Sequence, residues 1–189
     1  YKNWARVGFG IALFSIIVLL FNLNTMDSLV WMIWLQVPVY LLHEFEEHAY
    51  PGGFKKFVNT QIFKVAKREC PFNDKRIFWV NILVIWMLFP ICALLSQFVD
   101  IRYGMLLPYF GLFNATTHII AAIKFRSYNP GLIISTLLNY PTGIYTLMVA
   151  SQEGVLTTAL SVCALSASLV VHLVMIGFAV YWYKTDKKK

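Results

Sequence analysis

The residues that could do chemistry are ionisable side chains inside long apolar stretches of this 189-residue chain. They comprise all four histidines and three glutamates: His43, His48, His118 and His172, with Glu44, Glu46 and Glu47. A charged side chain at the centre of a membrane span costs roughly 2.5–3.5 kcal/mol on insertion scales. A sequence that keeps such a set of groups in apolar stretches therefore indicates a functional site.

Helix geometry predicts which of these groups meet. Residues three and four positions apart share a helical face, so His43, Glu46 and Glu47 converge. Asn114 and His118 are likewise four positions apart. Because positions three and four after His43 both face it, the spacing does not separate Glu46 and Glu47 into metal ligand and general base.

Imidazoles and carboxylates in this combination favour a divalent metal ion. Three neutral imidazoles with a carboxylate suit Zn²⁺, and Fe or Mn fits if more carboxylates bind. A catalytic zinc takes three protein ligands and one water, with a further glutamate as general base. The three cysteines are far apart in sequence, so no thiolate site is indicated. The predicted metal ligands are His43, Glu46, Glu47, His118 and His172, and the predicted catalytic residues are Glu46, Glu47 and Asn114.

The composition places this site in a membrane. Hydrophobic residues make up 59% of the chain and charged residues 13%, against about 25% charged residues in a soluble domain. The mean hydropathy is +0.64. These values exclude a soluble globular domain, a disordered chain, a disulfide scaffold and a nucleic-acid module, in spite of the net charge of +7.

Six apolar stretches are long enough to cross a hydrocarbon core of about 30 Å, which takes about 20 helical residues. They cover about 7–23, 28–48, 77–98, 103–124, 130–150 and 155–183. The chain is therefore predicted to be a single all-α domain, residues 1–189, in the form of a polytopic membrane bundle. Between the second and third spans, residues 53–68 have the pattern of an amphipathic helix that lies on the membrane surface.

Lysine and arginine are distributed very unevenly among the connections. Fifteen of them fall on the side of the termini and the 49–76 loop, and only Arg102 falls on the other. This asymmetry predicts that both termini and the 49–76 loop are cytoplasmic. Glu44 and His48 then lie near the cytoplasmic interface, where we expect them to be hydrated.

Depth gives a second prediction, because the second, fourth and sixth spans run in the same direction. Counted from outer ends near 28, 103 and 154, the histidines follow after 15, 15 and 18 residues. At ~1.5 Å per residue this is about 22–27 Å of rise. His43, His118 and His172 are therefore expected at one level, in the cytoplasmic half of the bilayer.

Four short motifs follow one another along the chain: His43-x-x-Glu46-Glu47, Tyr50-Pro51-Gly52-Gly53-Phe54, Asn114-x-x-x-His118 and Tyr128-Asn129-Pro130-Gly131. In this order they resemble the HXXEE-domain family of small integral membrane proteins, over the region from the second span to the sixth. The resemblance implies a membrane protein with a His/Glu site, and it implies no substrate. It extends to the motif residues His43, Glu46, Glu47, Asn114 and His118. His172 is a candidate ligand only because of its predicted depth in the membrane. Taken by itself, the run from Tyr128 to Gly131 is predicted to start the fifth span.

A second likeness is to the glutamyl intramembrane proteases of the CAAX-processing type, which use paired glutamates, histidines and an asparagine without a metal. Their pattern E-E-x-x-x-R requires an arginine where Tyr50 and Pro51 stand here. This departure disfavours peptide cleavage.

These observations predict a membrane-embedded metal-dependent enzyme that acts on a lipid or other hydrophobic substrate. Hydrolysis by metal-activated water is favoured over iron-dependent oxidation or isomerisation. The alternatives are a metal-free glutamate-based intramembrane hydrolase, a metal or proton carrier or channel subunit, and a structural subunit whose polar stripes join helices. The expected partners are the bilayer and the substrate, with no nucleic acid, and a homo-oligomer is compatible with so small a chain.

Overall fold

The computed structural model describes residues 3–65 and 69–187, and every secondary-structure element in those ranges is helical. Five helices are long and apolar enough to cross a membrane: Trp4–Phe21, Asp74–Phe98, Ile101–Phe125, Leu132–Gln152 and Thr158–Asp186. A sixth helix, Ser28–His48, has 21 residues and is therefore about 31 Å long. Its length is also sufficient to cross a membrane, but its three glutamates set it apart from the five apolar helices. The predicted all-α membrane bundle is confirmed.

The N-terminal part of the bundle is a pair of helices joined by a short connection. α1 covers Trp4–Phe21 and α2 covers Ser28–His48. The Asp27 carboxylate accepts hydrogen bonds from the backbone N–H groups of Leu29 and Val30, at 3.0 and 3.1 Å. It thereby satisfies N–H groups that the first turn of α2 leaves without a helical partner.

α2 is the most polar of the long helices and also the most enclosed one. It packs against α1 and against the later spans, and its second half is buried on all sides, since the consecutive residues Val37, Pro38, Val39 and Tyr40 are all buried. Ionisable groups in a membrane are tolerated where they face protein and not lipid. The packing of α2 inside the bundle therefore explains how its glutamates are accommodated.

After α2 the chain turns at Gly52 and Gly53, whose φ angles are 71° and 102°. α3 (Phe54–Phe57) continues into a π-helical turn, Val58–Ile62. The observed helix is shorter than the predicted 53–68, since the chain leaves helical structure after Ile62, and residues 66–68 lie outside the described ranges. Asn59 is buried, and its side chain bonds to the backbone N–H and C=O of Phe72 at 3.0 and 2.8 Å. This segment therefore packs into one end of the bundle.

The remaining spans contain short irregular stretches. The third span consists of α4 (Asp74–Asn81), a π-helical stretch (Ile82–Leu88) and α5 (Phe89–Phe98). The fourth span consists of a 3₁₀ turn (Ile101–Met105) and α6 (Leu106–Phe125). The fifth span consists of α7 (Leu132–Ile134), a π-helical stretch (Ser135–Asn139) and α8 (Tyr140–Gln152). α9 (Thr158–Asp186) is the last span. Both π-helical stretches in these spans end two residues before a proline, Pro90 or Pro141, which lacks the N–H of a regular helical hydrogen bond.

Candidate metal centre

Three buried side chains from α2 and α6 form a group that could hold a metal ion. His43, Glu47 and His118 each offer a donor atom, and these atoms lie within 4.8 Å of one another. Glu47 Oε1 is 3.3 Å from His118 Nε2 and 3.7 Å from His43 Nε2. Three of the five predicted ligands are therefore brought together, since a shared face of α2 carries His43 and Glu47 and packs against α6.

His118 is held by Asn129, from the connection between α6 and α7. The Asn129 amide donates from Nδ2 to the His118 carbonyl oxygen at 2.9 Å, so its Oδ1 faces the ring and accepts a hydrogen bond from Nδ1 at 2.7 Å. Nδ1 therefore carries a proton, and Nε2 is the nitrogen that faces Glu47 Oε1 and is available to a metal ion. Such outer partners of a ligating histidine fix its tautomer and orientation.

His43 is held in a similar way from two sides. The Ser135 hydroxyl lies 3.2 Å from Nδ1, where it can accept a hydrogen bond from the ring N–H. The Asn114 amide nitrogen lies 3.0 Å from Nε2 and donates to it. Asn114, a predicted catalytic residue, therefore lies beside the group and contacts a candidate ligand directly.

His48 contacts the other oxygen of the same carboxylate. Its Nε2 is 3.3 Å from Glu47 Oε2 and 3.3 Å from the Asn81 amide nitrogen. The ring also packs against Trp4 and Phe54, with centroid distances of 5.1 and 5.0 Å. The expectation that His48 is simply hydrated at the interface was therefore wrong, because these aromatic side chains cover the end of α2.

Glu46 is used differently from Glu47. Its Oε1 accepts hydrogen bonds from the Tyr128 hydroxyl at 2.8 Å and the Ile133 N–H at 3.0 Å, and its Oε2 accepts one from the Ile134 N–H at 2.7 Å. The carboxylate thus caps the first turn of α7, where negative charge is stabilised. Burial and the hydrogen bond to Glu46 raise the pKa of Tyr128, which keeps its phenol protonated as a donor. Glu46 was predicted as a ligand or base, and the structure does not place it with the metal-binding group.

His172 also lies outside the group. Its ring packs against Phe110 and Phe113, with centroid distances of 4.3 and 4.4 Å. These residues precede His118 on α6 by five and eight positions, which is about 7–12 Å along the helix axis. α9 therefore sets His172 level with the N-terminal half of α6, and not with His118 as counting residues along each span predicted.

Glu44 lies on another face of α2 and is buried, with 1% of its surface exposed. Its Oε2 accepts a hydrogen bond from Trp86 Nε1 at 3.2 Å, and its Oε1 has no hydrogen-bond partner among the described residues. The expectation that Glu44 is hydrated was wrong, because the third span covers this face.

Gly131 is a further part of the site that helical spacing could not indicate. Its φ of +97° favours glycine. A Cβ at this position would lie 2.6 Å from His43 Cε1, 2.7 Å from His118 Cε1 and 2.9 Å from Glu47 Cγ. The backbone therefore approaches all three candidate ligands. The run Tyr128-Asn129-Pro130-Gly131 was predicted to begin the fifth span. It is instead the non-helical connection that precedes α7, and it positions the site.

The group faces a cavity of about 420 Å³, a size typical of small-molecule sites. Glu47, His48, Asn114 and His118 contribute to its wall. Most of the remaining wall is apolar and rich in aromatic rings: Phe54, Phe57, Phe63, Phe72, Phe110 and Phe113. A ligand that fills this cavity is therefore mainly hydrophobic and meets a polar cluster on one part of the wall.

We expect Asn129→Ala to lower metal affinity by about 10–100-fold, the usual effect of removing the partner that orients a ligating histidine. The readout is the dissociation constant for Zn²⁺ by competition with a chromogenic chelator. Asn59→Ala is the matched control, since Asn59 is also a buried asparagine that bonds to backbone, in its case to that of Phe72. An equal loss of affinity in both variants would contradict the role assigned to Asn129.

The family relationship agrees with this geometry. No curated protein and no solved structure matches the chain significantly. The profile of the family described as "Protein of unknown function with HXXEE motif" matches residues 34–146, a region that contains His43, Glu46, Glu47, His118 and the connection that orients His118. Since this match covers more than half of the chain, the protein belongs to the HXXEE family.

Proposed function

We propose that the protein is a membrane-embedded, metal-dependent hydrolase of a lipid or other hydrophobic substrate. The observation that carries this proposal is the grouping of His43, Glu47 and His118 beside an apolar cavity, whose wall includes Glu47 and His118. Buried ionisable groups in a membrane bundle are functional by default. A concave, mostly apolar pocket with a few convergent polar groups is the usual form of a small-molecule site.

The donor set favours zinc. Two imidazoles and one carboxylate form the ligand set of several zinc hydrolases, in which water takes the fourth position. The same three ligands also suit non-haem iron, so the metal is identified by measurement. When bound, the ion supplies a Lewis acid and lowers the pKa of a coordinated water.

His48 is the group that we assign as general base. It lies 3.3 Å from Glu47 Oε2 and lines the cavity, whereas both oxygens of Glu46 already accept hydrogen bonds from Tyr128 and α7. His48 takes a proton from the attacking water and returns it to the leaving group. His43 Nε2 would hold the ion, and Asn114, which donates to that nitrogen in this structure, would then be available to donate to an oxygen of the substrate.

The proposed route to the site is from the bilayer. The cavity wall includes Val80 and Val84 of the third span and Met175 and Ile176 of α9. Ile176 is 55% exposed on the outer surface of the bundle, so the wall between these helices reaches the lipid-facing side. The segment 54–63 covers one end of the cavity, and the lysine and arginine distribution supports a cytoplasmic position for this end.

One alternative has specific support. Glu47 already contacts three imidazoles without an ion, at 3.3 Å from His48, 3.3 Å from His118 and 3.7 Å from His43. A carboxylate paired with histidines can activate water directly, as in a metal-free glutamate-based hydrolase. This alternative predicts a fully active protein that contains no metal.

Elemental analysis of protein purified in detergent without chelators tests the proposal. We expect about one divalent transition metal ion per wild-type chain, and less than about a tenth of that in His43→Ala and His118→Ala, because each removes a ligand. His172→Ala is the control, since it also removes a buried histidine of the cavity wall, and it should keep the metal. A folded wild type without metal, or a metal content unchanged in the two ligand variants, would overturn the proposal.

A further inference from the structure

His172 is a buried polar side chain of the cavity wall that the proposed chemistry does not use. Only 5% of its surface is exposed, and the residue lines the cavity. Its Nε2 has no hydrogen-bond partner among the described residues. Buried polar atoms are nearly always hydrogen-bonded, so an unpaired one in a ligand-sized cavity points to a partner on the ligand.

The protonation state of the ring defines what that partner must be. His172 Nδ1 lies 2.8 Å from the Ser168 carbonyl oxygen, and a carbonyl only accepts, so Nδ1 carries the proton. Within residues 3–65 and 69–187, the histidine–carboxylate pairs involve His43, His48 and His118, and the rings against His172 are phenylalanines. The imidazole is therefore neutral, and Nε2 presents a lone pair that accepts a hydrogen bond.

An ordered water is a poor partner here. A buried water is stabilised by two to four polar partners, whereas the aromatic neighbours of the His172 ring are Phe110 and Phe113. Both phenylalanines also line the cavity. Nε2 is buried in this structure, so a ligand in the cavity reaches the nitrogen only when a neighbouring side chain moves.

We propose that the cavity binds a hydrophobic molecule that carries a hydroxyl group, which donates a hydrogen bond to His172 Nε2. The inference deepens the proposed function and rests on it for the identity of the cavity as the substrate site. It narrows the substrate class from any lipid to an uncharged one that carries a free hydroxyl group besides the bond that is hydrolysed, with this hydroxyl held at a position separate from His43, Glu47 and His118. His172 is then a specificity residue and not a metal ligand.

The test compares two probes of equal chain length, 1-dodecanol and its methyl ether, which lacks the donor. Their dissociation constants come from the rise in unfolding temperature of the full-length detergent-solubilised protein with probe concentration. We expect the wild type to bind the alcohol about fivefold tighter than the ether, which is the effect of one net hydrogen bond. His172→Phe should abolish this preference by weakening alcohol binding. His172→Gln should abolish it by strengthening ether binding, because the amide adds a donor.

Two further variants separate this inference from the proposed metal site. Glu47→Gln, with its metal content measured on the same sample, should keep the alcohol preference, and so should Met175→Leu, which changes another cavity residue. Equal binding of both probes by the wild type, or a preference that survives in His172→Phe and His172→Gln, overturns the inference. A preference lost in Glu47→Gln and kept in the His172 variants also overturns it, since the hydroxyl then binds at the carboxylate. A wild type with the predicted preference and no metal contradicts the metal-dependent function alone.

Discussion

Gly131→Ala is expected to remove the metal-binding site and to destabilise the protein by about 3 kcal/mol. Two effects add up, because a residue with a Cβ costs about 1–2 kcal/mol in the left-handed region and overpacking costs about 1–3 kcal/mol. The new Cβ would lie 2.6–2.9 Å from carbons of His43, Glu47 and His118. Those side chains can accommodate it only by moving apart, and a displacement of about 1 Å is enough to disable a designed metal site. Metal content and the free energy of unfolding in mixed micelles are the two measurements.

Gly154→Ala is a close control for this experiment. Gly154 also has a positive φ, +71°, but a Cβ there meets no atom within 4 Å. The Gly154→Ala variant therefore tests the cost of the backbone conformation alone. We expect its free energy of unfolding to fall by about 1 kcal/mol with no change in metal content. If Gly131→Ala bound metal as well as Gly154→Ala does, the contact between Gly131 and the ligands would have no functional importance.

The fold class and the centre of the site could be predicted because both follow from short-range periodicity. Apolar stretches of about 20 residues predict membrane helices, and the i, i+4 spacing brought His43 and Glu47 onto one face of α2. His118 joined them since α2 and α6 are packed neighbours. Each of these inferences requires only a regular helix and a common depth.

The rest of the site depends on features that periodicity does not encode. The roles of Asn129 and Gly131 follow from a non-helical connection, although the glycine in an N-P-G run was a signal for a left-handed residue. His172 is separate from the ligands because the axial offset between α6 and α9 is set by side-chain packing. By helical spacing both Glu46 and Glu47 face His43, and only the position of α7 distinguishes them.

That distinction leads to opposite expected results for two neighbouring and chemically identical substitutions. Glu47→Gln should lower metal affinity by more than about 100-fold, since it removes a charged ligand, and loss of an outer partner alone costs about 10–100-fold. Glu46→Gln should leave metal affinity within a few-fold of the wild type. It should instead destabilise the fold by about 1–3 kcal/mol, because an amide replaces the carboxylate that accepts three hydrogen bonds from Tyr128 and α7.

Each variant is the control for the other, because both replace a buried glutamate of α2 by its isostere. Zinc dissociation constants and unfolding free energies measured on both give four values, and the structure predicts a crossed pattern in which one variant loses affinity and the other loses stability. Equal loss of metal from both would mean that Glu46 leaves the α7 N-terminus and joins the ion. Metal loss from Glu46→Gln alone would exchange the two roles. The crossed pattern would assign the two glutamates of the H-x-x-E-E motif to different tasks, with one holding the ion and the other holding the helix whose N-terminal glycine lies against the ligands.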